Sequence, residues 1–364
     1  MKLMAKREEL LAPLQNVIGV VERRQTMPVL ANVLLAARER HLGITGTDLE
    51  VELAAVGAVQ VDMPGDVTVP GRKLHDILRA LPAEVDVNVS TDGDKVVIRS
   101  GRSRFTLATL PAAEFPTLEE IQAQQTLTLP QGEFRRLIDM THFSMAQQDV
   151  RYYLNGLLLE TAETTLRAVA TDGHRLAWCE MSLSEPIRPG QVIVPRKAVL
   201  ELQRILGTEG SIELAIGTNH IRAQIGNIRF TSKLIDGKFP EYGRVIPDHP
   251  PKIVHADRAL LRQALQRTAI LSNEKYRGIR VGLKADMLTL QAHNPEHEEA
   301  EDQVEIEYQG EEVEIGFNVN YLLDALNAVE TDRVELGFAD ANSSCLIRAP
   351  GLTQAQYVVM PMRL

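Results

Sequence analysis

The stretch Val192-Ile-Val-Pro-Arg-Lys197 reads as a short apolar strand that runs directly into a helix. The same arrangement occurs earlier as Val67-Thr-Val-Pro-Gly-Arg-Lys73 and later as Glu314-Ile-Gly-Phe-Asn-Val-Asn320. An amphipathic segment with apolar residues at helical spacing follows each stretch. A pattern that returns three times at similar spacing indicates a chain built from one repeated module.

Other landmarks recur in a fixed order around that stretch. An amphipathic helix opens each copy, two strands joined by a short turn follow it, and an apolar residue with a proline closes the copy. The closing prolines are Pro116, Pro240 and Pro361, which are 124 and 121 residues apart. We therefore predict three domains of one fold, at residues 1–123, 124–247 and 248–364.

Each copy reads as two halves, and each half consists of a helix and several strands. This order predicts an α+β fold in which antiparallel sheets carry helices on one face. Sheets that continue from copy to copy either leave exposed edges or close on themselves, and a symmetric dimer removes the edges. A closed ring is the economical arrangement.

The charge of the chain is unevenly distributed. There are 39 Lys and Arg residues against 49 Asp and Glu residues, for a net charge of −10. Ten of the carboxylates lie between Glu296 and Glu314, a stretch without Lys or Arg, so the remainder is balanced. An acidic protein is a poor candidate for tight nucleic-acid binding, although a local basic surface remains compatible with this composition.

Composition also limits the cellular setting. Hydrophobic residues make up 44% of the chain, enough to bury cores, and no apolar run reaches the length of a membrane-spanning helix. The only cysteines, Cys179 and Cys345, fit a reducing interior. These features predict a cytoplasmic protein with no membrane partner.

The segment Ala170-Thr-Asp-Gly-His-Arg-Leu176 is the best candidate for catalysis, because His174 and Asp172 are suited to acid–base chemistry. However, the matching turn of the first copy, Gly46-Thr-Asp-Leu49, has no histidine, and no nucleophile stands in a suitable context. We interpret the segment as a turn in which Asp and Gly provide local hydrogen bonds and a positive φ. A hydrolase that uses His174 and Asp172 is the alternative from the enzyme class.

Motifs for cofactors and metals are weak. His293 and His297 superficially resemble metal ligands, but Pro295 lies between them and favours an exposed acidic loop. The chain has neither a phosphate-binding loop nor a dinucleotide fingerprint. We expect no cofactor, no metal and no catalytic residue.

Paired cations begin the second helix of the first two copies, as Arg72-Lys73 and Arg196-Lys197. Cations at a helix start oppose the helix dipole, so local stability does not explain them, whereas a phosphate partner does. The segment Gln148-Asp-Val-Arg-Tyr-Tyr153 adds groups that bond phosphate and sugar. The alternative is an ordinary solvated helical face.

Several of these segments carry a family resemblance that runs the whole length of the chain. The sequence resembles the bacterial DNA polymerase III beta subunits, the sliding clamps, in Gln148-Asp-Val-Arg-Tyr-Tyr-Leu-Asn-Gly156, Ala170-Thr-Asp-Gly-His-Arg-Leu-Ala177, Val194-Pro-Arg-Lys197, Ile270-Leu-Ser-Asn-Glu-Lys275 and Tyr357-Val-Val-Met-Pro-Met-Arg-Leu364. The resemblance implies three repeated DNA-clamp domains per chain, closed as a head-to-tail dimer with helices lining a ring and antiparallel sheets outside. It also implies a non-catalytic processivity factor of the replicative polymerase.

The resemblance further assigns three groups of residues. A hydrophobic pocket between the second and third domains, which receives short linear peptide motifs of DNA polymerases, the clamp loader and repair proteins, would comprise Leu154, Thr171, Gly173, His174, Arg175, Leu176, Pro240, Arg244, Val245, Asn318, Tyr321, Ser344, Val358, Val359, Met360, Pro361, Met362 and Arg363. Residues facing duplex DNA, without sequence specificity, would be Arg24, Arg72, Lys73, Gln148, Tyr152, Tyr153, Arg196 and Lys197. The homodimer seam would join Arg102, Arg104, Phe105 and Leu107, with Lys73 beside them, to Ile270, Leu271, Glu298, Glu299 and Glu301.

Two features beside the implied pocket, Trp178 and Ala341-Asn342, depart from the family pattern. A third interpretation of the whole chain is a monomeric interaction scaffold that does not bind DNA.

Overall fold

The computed structural model describes residues 1–22, 27–118 and 121–363. The chain forms two compact units, each built from two stretches of sequence. Unit 1 contains Met1–Gly132 and Lys197–Leu234, and unit 2 contains Glu133–Arg196 and Ile235–Leu364.

Two α-helices fall in each predicted copy. Within the described residues they are α1 (Arg7–Val17), α2 (Gly71–Ala80), α3 (Gln131–Asp139), α4 (Arg196–Ile205), α5 (Arg258–Thr268) and α6 (Val319–Ala328). Short 3-10 helices occur at Ile18–Val20, Pro28–Ala31, Ala112–Glu114, His142–Ser144, Tyr152–Leu154, Tyr242–Arg244 and Ala269–Leu271. The predicted amphipathic faces are buried, as at Leu261, Ala264 and Leu265 of α5.

The strands of the described chain alternate with these helices as predicted. They are β1 (Lys2–Lys6), β2 (Asn32–Arg38), β3 (His41–Thr47), β4 (Val51–Ala58), β5 (Gln60–Met63), β6 (Gly65–Pro70), β7 (Asp86–Asp92), β8 (Lys95–Ser100), β9 (Ser103–Ala108), β10 (Gln125–Pro130), β11 (Gly156–Thr171), β12 (Arg175–Pro195), β13 (Ser211–Ile216), β14 (His220–Ile225), β15 (Ile228–Lys233), β16 (Lys252–Asp257), β17 (Gly278–Lys284), β18 (Met287–His293), β19 (Glu299–Glu307), β20 (Val313–Asn318), β21 (Arg333–Phe338), β22 (Cys345–Arg348) and β23 (Ala355–Val359).

The described residues of unit 1 form two antiparallel sheets. Their strand orders are β5-β1-β7-β8-β9 and β10-β13-β14-β15-β4-β3-β2-β6. The second sheet crosses from one predicted copy into the next, because β15 lies beside β4 with Ile228 opposite Ala55 and Ser232 opposite Val51.

Unit 2 holds one ten-stranded sheet, in the order β11-β12-β23-β22-β21-β16-β19-β18-β17-β20. Here the last strand of the third copy, β23, lies beside β12 of the second copy, with Arg175 opposite Val359 and Cys179 opposite Ala355. The same junction therefore occurs in both units: the last strand of one copy extends the sheet of the copy before it.

The turn after the first strand of each predicted strand pair has a left-handed residue. These residues are Glu39, Glu163 and Asp286, with φ of 46°, 50° and 57°. The second copy differs from the prediction of two separate strands, because β11 runs continuously through Glu163. Its register against β12 shifts on both sides of Glu163, so the predicted turn survives as an irregularity within one long strand.

The core of unit 2 lies between its sheet and the helices α5 and α6. Phe317 and Phe338, with ring centroids 6.3 Å apart, pack there with the apolar residues of both helices. At the start of α5 the Asp257 side chain accepts a hydrogen bond from the Leu260 backbone N–H at 2.9 Å, which caps the helix. Nowhere in the described ranges is a helix long and apolar enough to cross a membrane.

Candidate functional site

The turn between β11 and β12 is organised by Asp172. Its Oδ1 accepts hydrogen bonds from the backbone N–H groups of His174 at 2.9 Å and Arg175 at 3.0 Å. Its Oδ2 accepts one from Nε of Arg175 at 3.0 Å. Gly173 has a φ of 88°, which a residue without a Cβ adopts readily.

The equivalent turn of the first copy is built in the same way around Asp48. Its Oδ1 accepts hydrogen bonds from the N–H groups of Glu50 at 2.9 Å and Val51 at 2.7 Å, and Leu49 has a φ of 76°. The interpretation of Ala170–Leu176 as a turn is thus confirmed. Both oxygens of Asp172 are occupied by this turn, which removes the support for Asp172 as the partner of a catalytic histidine.

Arg175 fastens the turn to α6. One guanidinium nitrogen donates to Asp324 Oδ2 at 2.5 Å and the other to the carbonyl oxygen of Phe143 at 2.6 Å. The guanidinium carbon lies 4.5 Å from the ring centroid of Tyr321, a cation–π distance. Arg175 thus serves as an internal anchor of the site. Asp324 and Phe143 are neighbours of the predicted pocket residue Arg175 that the sequence prediction missed.

An apolar cluster, here called the tail cluster, lies on one face of the sheet in unit 2. Leu154, Leu176 and Val358 of the predicted pocket belong to it. The prediction missed its other buried members, which are Ala146, Leu158, Val169, Ile193, Phe239 and Leu346. Phe239 had a usable signal, since it stands directly before the repeated Pro240.

Val358 and Val359 were both predicted to line the pocket, but successive residues of a strand face opposite sides of a sheet. Val358 is fully buried in the tail cluster. Val359 packs instead with Tyr357 and Cys345 in the core beneath the helices. Val359 therefore lies on the other side of the sheet from Val358, and its place in the pocket stays a prediction.

The C-terminal tail, residues 360–363, borders the tail cluster. The backbone N–H of Met360 donates to the carbonyl oxygen of His174 at 2.9 Å. The backbone N–H of Met362 donates to the carbonyl oxygen of Gly316 at 2.8 Å. The Met360 side chain is exposed, Pro361 and Met362 are half-buried, and Arg363 is exposed. Two backbone hydrogen bonds thus hold apolar side chains at an accessible surface.

The remaining predicted pocket residues come from two further segments. Asn318 caps α6 by accepting from the Asn320 backbone N–H at 2.9 Å, and Ser344 is half-buried before β22. Pro240, Arg244 and Val245 are exposed in the segment after Phe239. Arg244 forms an exposed ion pair with Glu241 at 2.7 Å. All these residues belong to unit 2.

A loop before β11 closes against the turn. Arg151 donates to both carboxylate oxygens of Asp149, at 3.0 and 2.9 Å, and to the carbonyl oxygen of Asp172 at 3.1 Å. The hydrogen bonds from Arg151 lower the pKa of Asp149 to about 2. A Cβ on Gly173 would lie 3.0 Å from two guanidinium nitrogens of Arg151. Glycine at position 173 therefore avoids both the backbone strain of a positive φ and a close approach to the Arg151 guanidinium.

The residues predicted to face DNA differ in their accessibility. Arg24 lies outside the described residues. Lys73, Gln148 and Tyr152 are exposed and Tyr153 is half-buried. Half-buried Arg72 and Arg196 donate to the backbone carbonyls of Val21 at 2.7 Å and Met145 at 3.2 Å.

Lys197 is the most constrained of this group. Its ammonium group lies 2.5 Å from Asp48 and 2.6 Å from Glu22. Burial lowers the pKa of Lys197, but the hydrogen bonds to the two carboxylates outweigh this effect and raise it overall. Its charge is already compensated within unit 1.

The predicted seam residues lie on strand edges and a short helix. In unit 1, exposed Arg102 lies in the turn before β9, the outermost strand of the five-stranded sheet. On β9 itself, Arg104 is exposed, Phe105 is half-buried and Leu107 is buried. In unit 2, Ile270 is 75% exposed and Leu271 half-buried, and Glu298, Glu299 and Glu301 are exposed. Residues 299–305 of β19 pair with β18, and β16 pairs only with Ile306 and Glu307.

The segment with His293 and His297, the candidate metal site of the sequence analysis, forms a turn. Asn294 accepts a hydrogen bond from the Glu298 backbone N–H at 2.9 Å and His297 has a φ of 65°, as expected for a tight turn. In the part of the chain that the structure describes, no group of three or more His, Cys, Asp or Glu side chains is arranged to hold a metal ion. Cys179 and Cys345 are free and buried, and burial raises the pKa of Cys179 to about 11.

Repeated α+β modules whose sheets join edge to edge, with an apolar site beside the C-terminal tail, define the class of three-module clamp proteins. Models of the DNA polymerase III beta subunit match the chain at residues 1–119 for the N-terminal domain, 128–241 for the central domain and 243–363 for the C-terminal domain. The chain belongs to the DNA polymerase III beta subunit family.

Curated relatives and solved structures agree with this assignment. The beta sliding clamp of Pseudomonas putida is 56% identical over 99% of both chains, and that of Escherichia coli K12 is 51% identical over 100% of both. The crystal structure of the DNA polymerase III subunit beta from Pseudomonas aeruginosa superposes with a TM-score of 0.97 at 53% identity, covering both chains fully. Another structure of the P. aeruginosa clamp, bound to griselimycin, gives the same TM-score, identity and coverage.

Proposed function

We propose that two copies of the chain close head to tail into a ring around duplex DNA and tether replication and repair proteins to it. The single observation that carries this proposal is the repeated junction between modules. β15 extends the sheet of the first copy along β4, and β23 extends that of the second copy along β12. We keep the domain boundaries 1–123, 124–247 and 248–364 as part of the proposal.

Among the described strands, β9 and β19 are the two that should form such a junction but do not form one within their own units. β9 is the counterpart of β15 and β23, and β19 is the counterpart of β4 and β12. β9 is an edge strand, and residues 299–305 of β19 have a free edge. Pairing β9 of one chain with β19 of another would form the missing type of junction, and by symmetry a second copy of it, which closes a ring of two chains.

The internal junctions also supply a register for the seam. The backbone N–H of Val51 donates to the Asp48 side chain, and that of Arg175 donates to Asp172. The backbone N–H of Glu298 donates to Asn294 in the same way, so Val51, Arg175 and Glu298 occupy equivalent positions after their turns. Val51 lies opposite Ser232, whose counterpart on β9 is Leu107, counted from the two-residue turns at Ser100–Ser103 and Ile225–Ile228.

Transferring this register places Leu107 opposite Glu298 and Arg104 opposite Glu301. Arg104 would then meet a carboxylate across the seam, with Glu299 on the same face two residues away. Charged residues on both edges discourage each strand from pairing with its own copy, whereas the opposite signs favour the proposed pairing. This gives the acidic stretch a function, and the exposed Ile270 would be covered beside it.

The net charge of −10 is compatible with a ring that holds DNA by topology. Only weak, salt-sensitive and sequence-independent contacts with phosphate are then needed, and exposed Lys73 is suited to make one. We propose that the chain is a non-catalytic, cytoplasmic subunit that requires a separate ATP-driven loader.

We further propose that short linear peptides of DNA polymerases, the clamp loader and repair proteins bind over the tail cluster. Leu154, Leu176 and Val358 offer an apolar floor, and the tail adds the Met360 side chain at the surface. Methionine adapts its shape, which suits a site that serves several partners.

The topological proposal is tested by loading the protein, with its loader, onto a nicked circular plasmid and then cutting the plasmid. We expect retention on the circle during gel filtration and release after linearisation. Equal retention on both forms would overturn the ring proposal. Sedimentation distinguishes the monomeric scaffold, which would show the chain mass of 40.4 kDa rather than twice that mass.

A further inference from the structure

Beside the tail cluster lies an open cleft of about 650 Å³, whose lining includes Arg167, Trp178, Tyr242, Ile246, Arg348 and Gln356. We propose that this cleft receives a second apolar side chain, preferably aromatic, of the same peptide whose motif binds over the tail cluster. The inference rests on the proposed peptide binding and adds a second subsite to it.

The floor of the cleft continues the floor of the tail cluster. On β12, Trp178 follows Leu176 by two residues and therefore faces the same side of the sheet. On β23, Gln356 stands two residues before Val358 in the same way. Because Trp178 lies opposite Gln356, the cleft residues form a row beside the row of Leu176 and Val358.

The third strand repeats this relationship. On β22, Leu346 belongs to the tail cluster, and Arg348, two residues later, lines the cleft and lies opposite Gln356. Two residues of a strand span about 7 Å. A bound peptide in an extended conformation would therefore reach from the tail cluster into the cleft within two or three residues.

The two aromatic side chains of the cleft, Trp178 and Tyr242, are held by contacts with neighbouring residues. Tyr242 donates its hydroxyl hydrogen to Glu160, and Trp178 and Tyr242 both pack against the tail cluster. The guanidinium carbon of Arg167 lies 5.8 Å from the Trp178 ring centroid, and Arg167 Nε donates to Glu180 at 2.9 Å. Rigid walls reduce the entropy lost on binding, which favours a specific ligand side chain.

The charges around the cleft favour an apolar ligand over an acidic one. Arg167 pairs with Glu180 and lies 3.6 Å from Glu160, and Arg348 pairs with Glu335 at 2.6 Å. Since both arginines already have carboxylate partners, an added acidic side chain would compete with them. The half-buried indole of Trp178 instead offers an aromatic face, on which an aromatic or aliphatic side chain can stack.

The test uses the dimeric full-length protein and a phage-displayed library of random 12-residue peptides that lack tryptophan. The best selected peptide is synthesised in full and in a version in which its second apolar residue is replaced by Ser. Trp178 is the only tryptophan of the chain, so its fluorescence reports directly on the cleft. We expect the full peptide, and not the Ser version, to shift the emission.

Affinities of variants complete the test. We expect Trp178→Ala to weaken binding of the full peptide about fivefold to tenfold and to leave the Ser version unaffected, whereas Trp178→Phe restores binding. The thermal midpoint of each variant is measured to establish that it is folded. Deleting the tail, residues 360–364, should abolish binding of both peptides.

Different results would contradict peptide binding at the tail cluster and the second subsite in the cleft. If both peptides depend on the tail but the Trp178 emission and the Trp178→Ala affinities do not change, the second subsite is wrong and peptide binding at the tail cluster stands. If no peptide is selected, or if tail deletion leaves binding intact, the peptide-binding proposal fails and the second subsite fails with it.

Discussion

The guanidinium group of Arg175 lies 2.5 Å from the carboxylate of Asp324, although the two residues are 149 positions apart in the chain. Arg175 begins β12 of the second copy and Asp324 lies on α6 of the third. Because the same guanidinium also bonds Asp172 and Phe143, one side chain connects the turn, the loop before it and the helix. Arg175 is therefore a structural anchor of the proposed peptide site.

We predict that Arg175→Ala destabilises unit 2 by about 1–3 kcal/mol, because it leaves Oδ2 of Asp172 and the carbonyl oxygen of half-buried Phe143 without the Arg175 donors. Urea denaturation followed by circular dichroism measures the change. Arg244→Ala is the matched control, because its ion pair with Glu241 is exposed and is worth about 0–1 kcal/mol. Equal effects of both variants would contradict the anchoring role.

Gly173→Ala tests the packing of Arg151 over the turn. An alanine there would adopt an unfavourable φ of 88° and its Cβ would press on the Arg151 guanidinium. Backbone strain alone costs about 1–2 kcal/mol. Gly351→Ala isolates this strain, since Gly351 has a φ of 71° and no atom within 4 Å of an added Cβ. We predict a larger loss of stability and a weaker peptide affinity for Gly173→Ala. If the two variants match in both measurements, the contact with Arg151 is unimportant.

The amino-acid sequence predicted the modular plan well because periodic patterns carry it. Buried positions such as Leu261 and Leu265 recur at helical spacing, and the Asp48 and Asp172 turns can be recognised from their residues. The run Tyr357-Val-Val359 carries no such signal. Every residue in it is apolar, so only the strand pairing reveals that Val358 and Val359 face different clusters.

Partners distant in the chain were also beyond prediction. Nothing in the pattern around Lys197 indicates that it reaches Asp48, although the equivalent helix start carries exposed Lys73. The resemblance assigned both lysines to DNA, but the structure gives them different surroundings.

This difference leads to a paired prediction. Lys73→Ala should leave stability unchanged and reduce the slope of log affinity for DNA against log salt by about 0.9, the value of one phosphate contact. Lys197→Ala should cost about 1–3 kcal/mol of stability, because Asp48 loses a close partner, and should change the salt slope less. Fluorescence anisotropy with duplex DNA at several salt concentrations measures the slopes. A reversed order would show that Lys197 contacts DNA.

The Lys197 ion pairs also imply a direction for pH dependence. Because the folded protein raises the pKa of Lys197 above 10.5, the ion pairs contribute full stability below that pH. The contribution is lost as the pH rises through the folded-state pKa. The difference in stability between the native protein and Lys197→Ala should therefore shrink in strongly alkaline solution, and a constant difference would contradict the assignment.

For the dimer seam we predict that Arg104→Glu weakens dimerisation at least about tenfold, because it places like charges opposite each other. Glu301→Arg alone should weaken it similarly, and the double variant should recover most of the loss. Sedimentation equilibrium measures the dissociation constants. Arg79→Glu, an exposed charge reversal at the end of α2, is the control. Additive losses in the double variant would rule out the transferred register.

Deletion of residues 360–364 separates peptide binding from ring closure. The tail contributes the Met360 and Met362 backbone hydrogen bonds to His174 and Gly316, but β23 ends at Val359 and keeps its pairing with β12 and β22. The junction between the copies should therefore remain intact, with an unchanged dimer mass and retention on circular DNA. Peptide and polymerase binding should be lost, because the tail cluster loses the apolar side chains at its border. Normal polymerase binding by the truncated protein would contradict the pocket assignment, whereas a monomeric product would show that the tail also supports assembly.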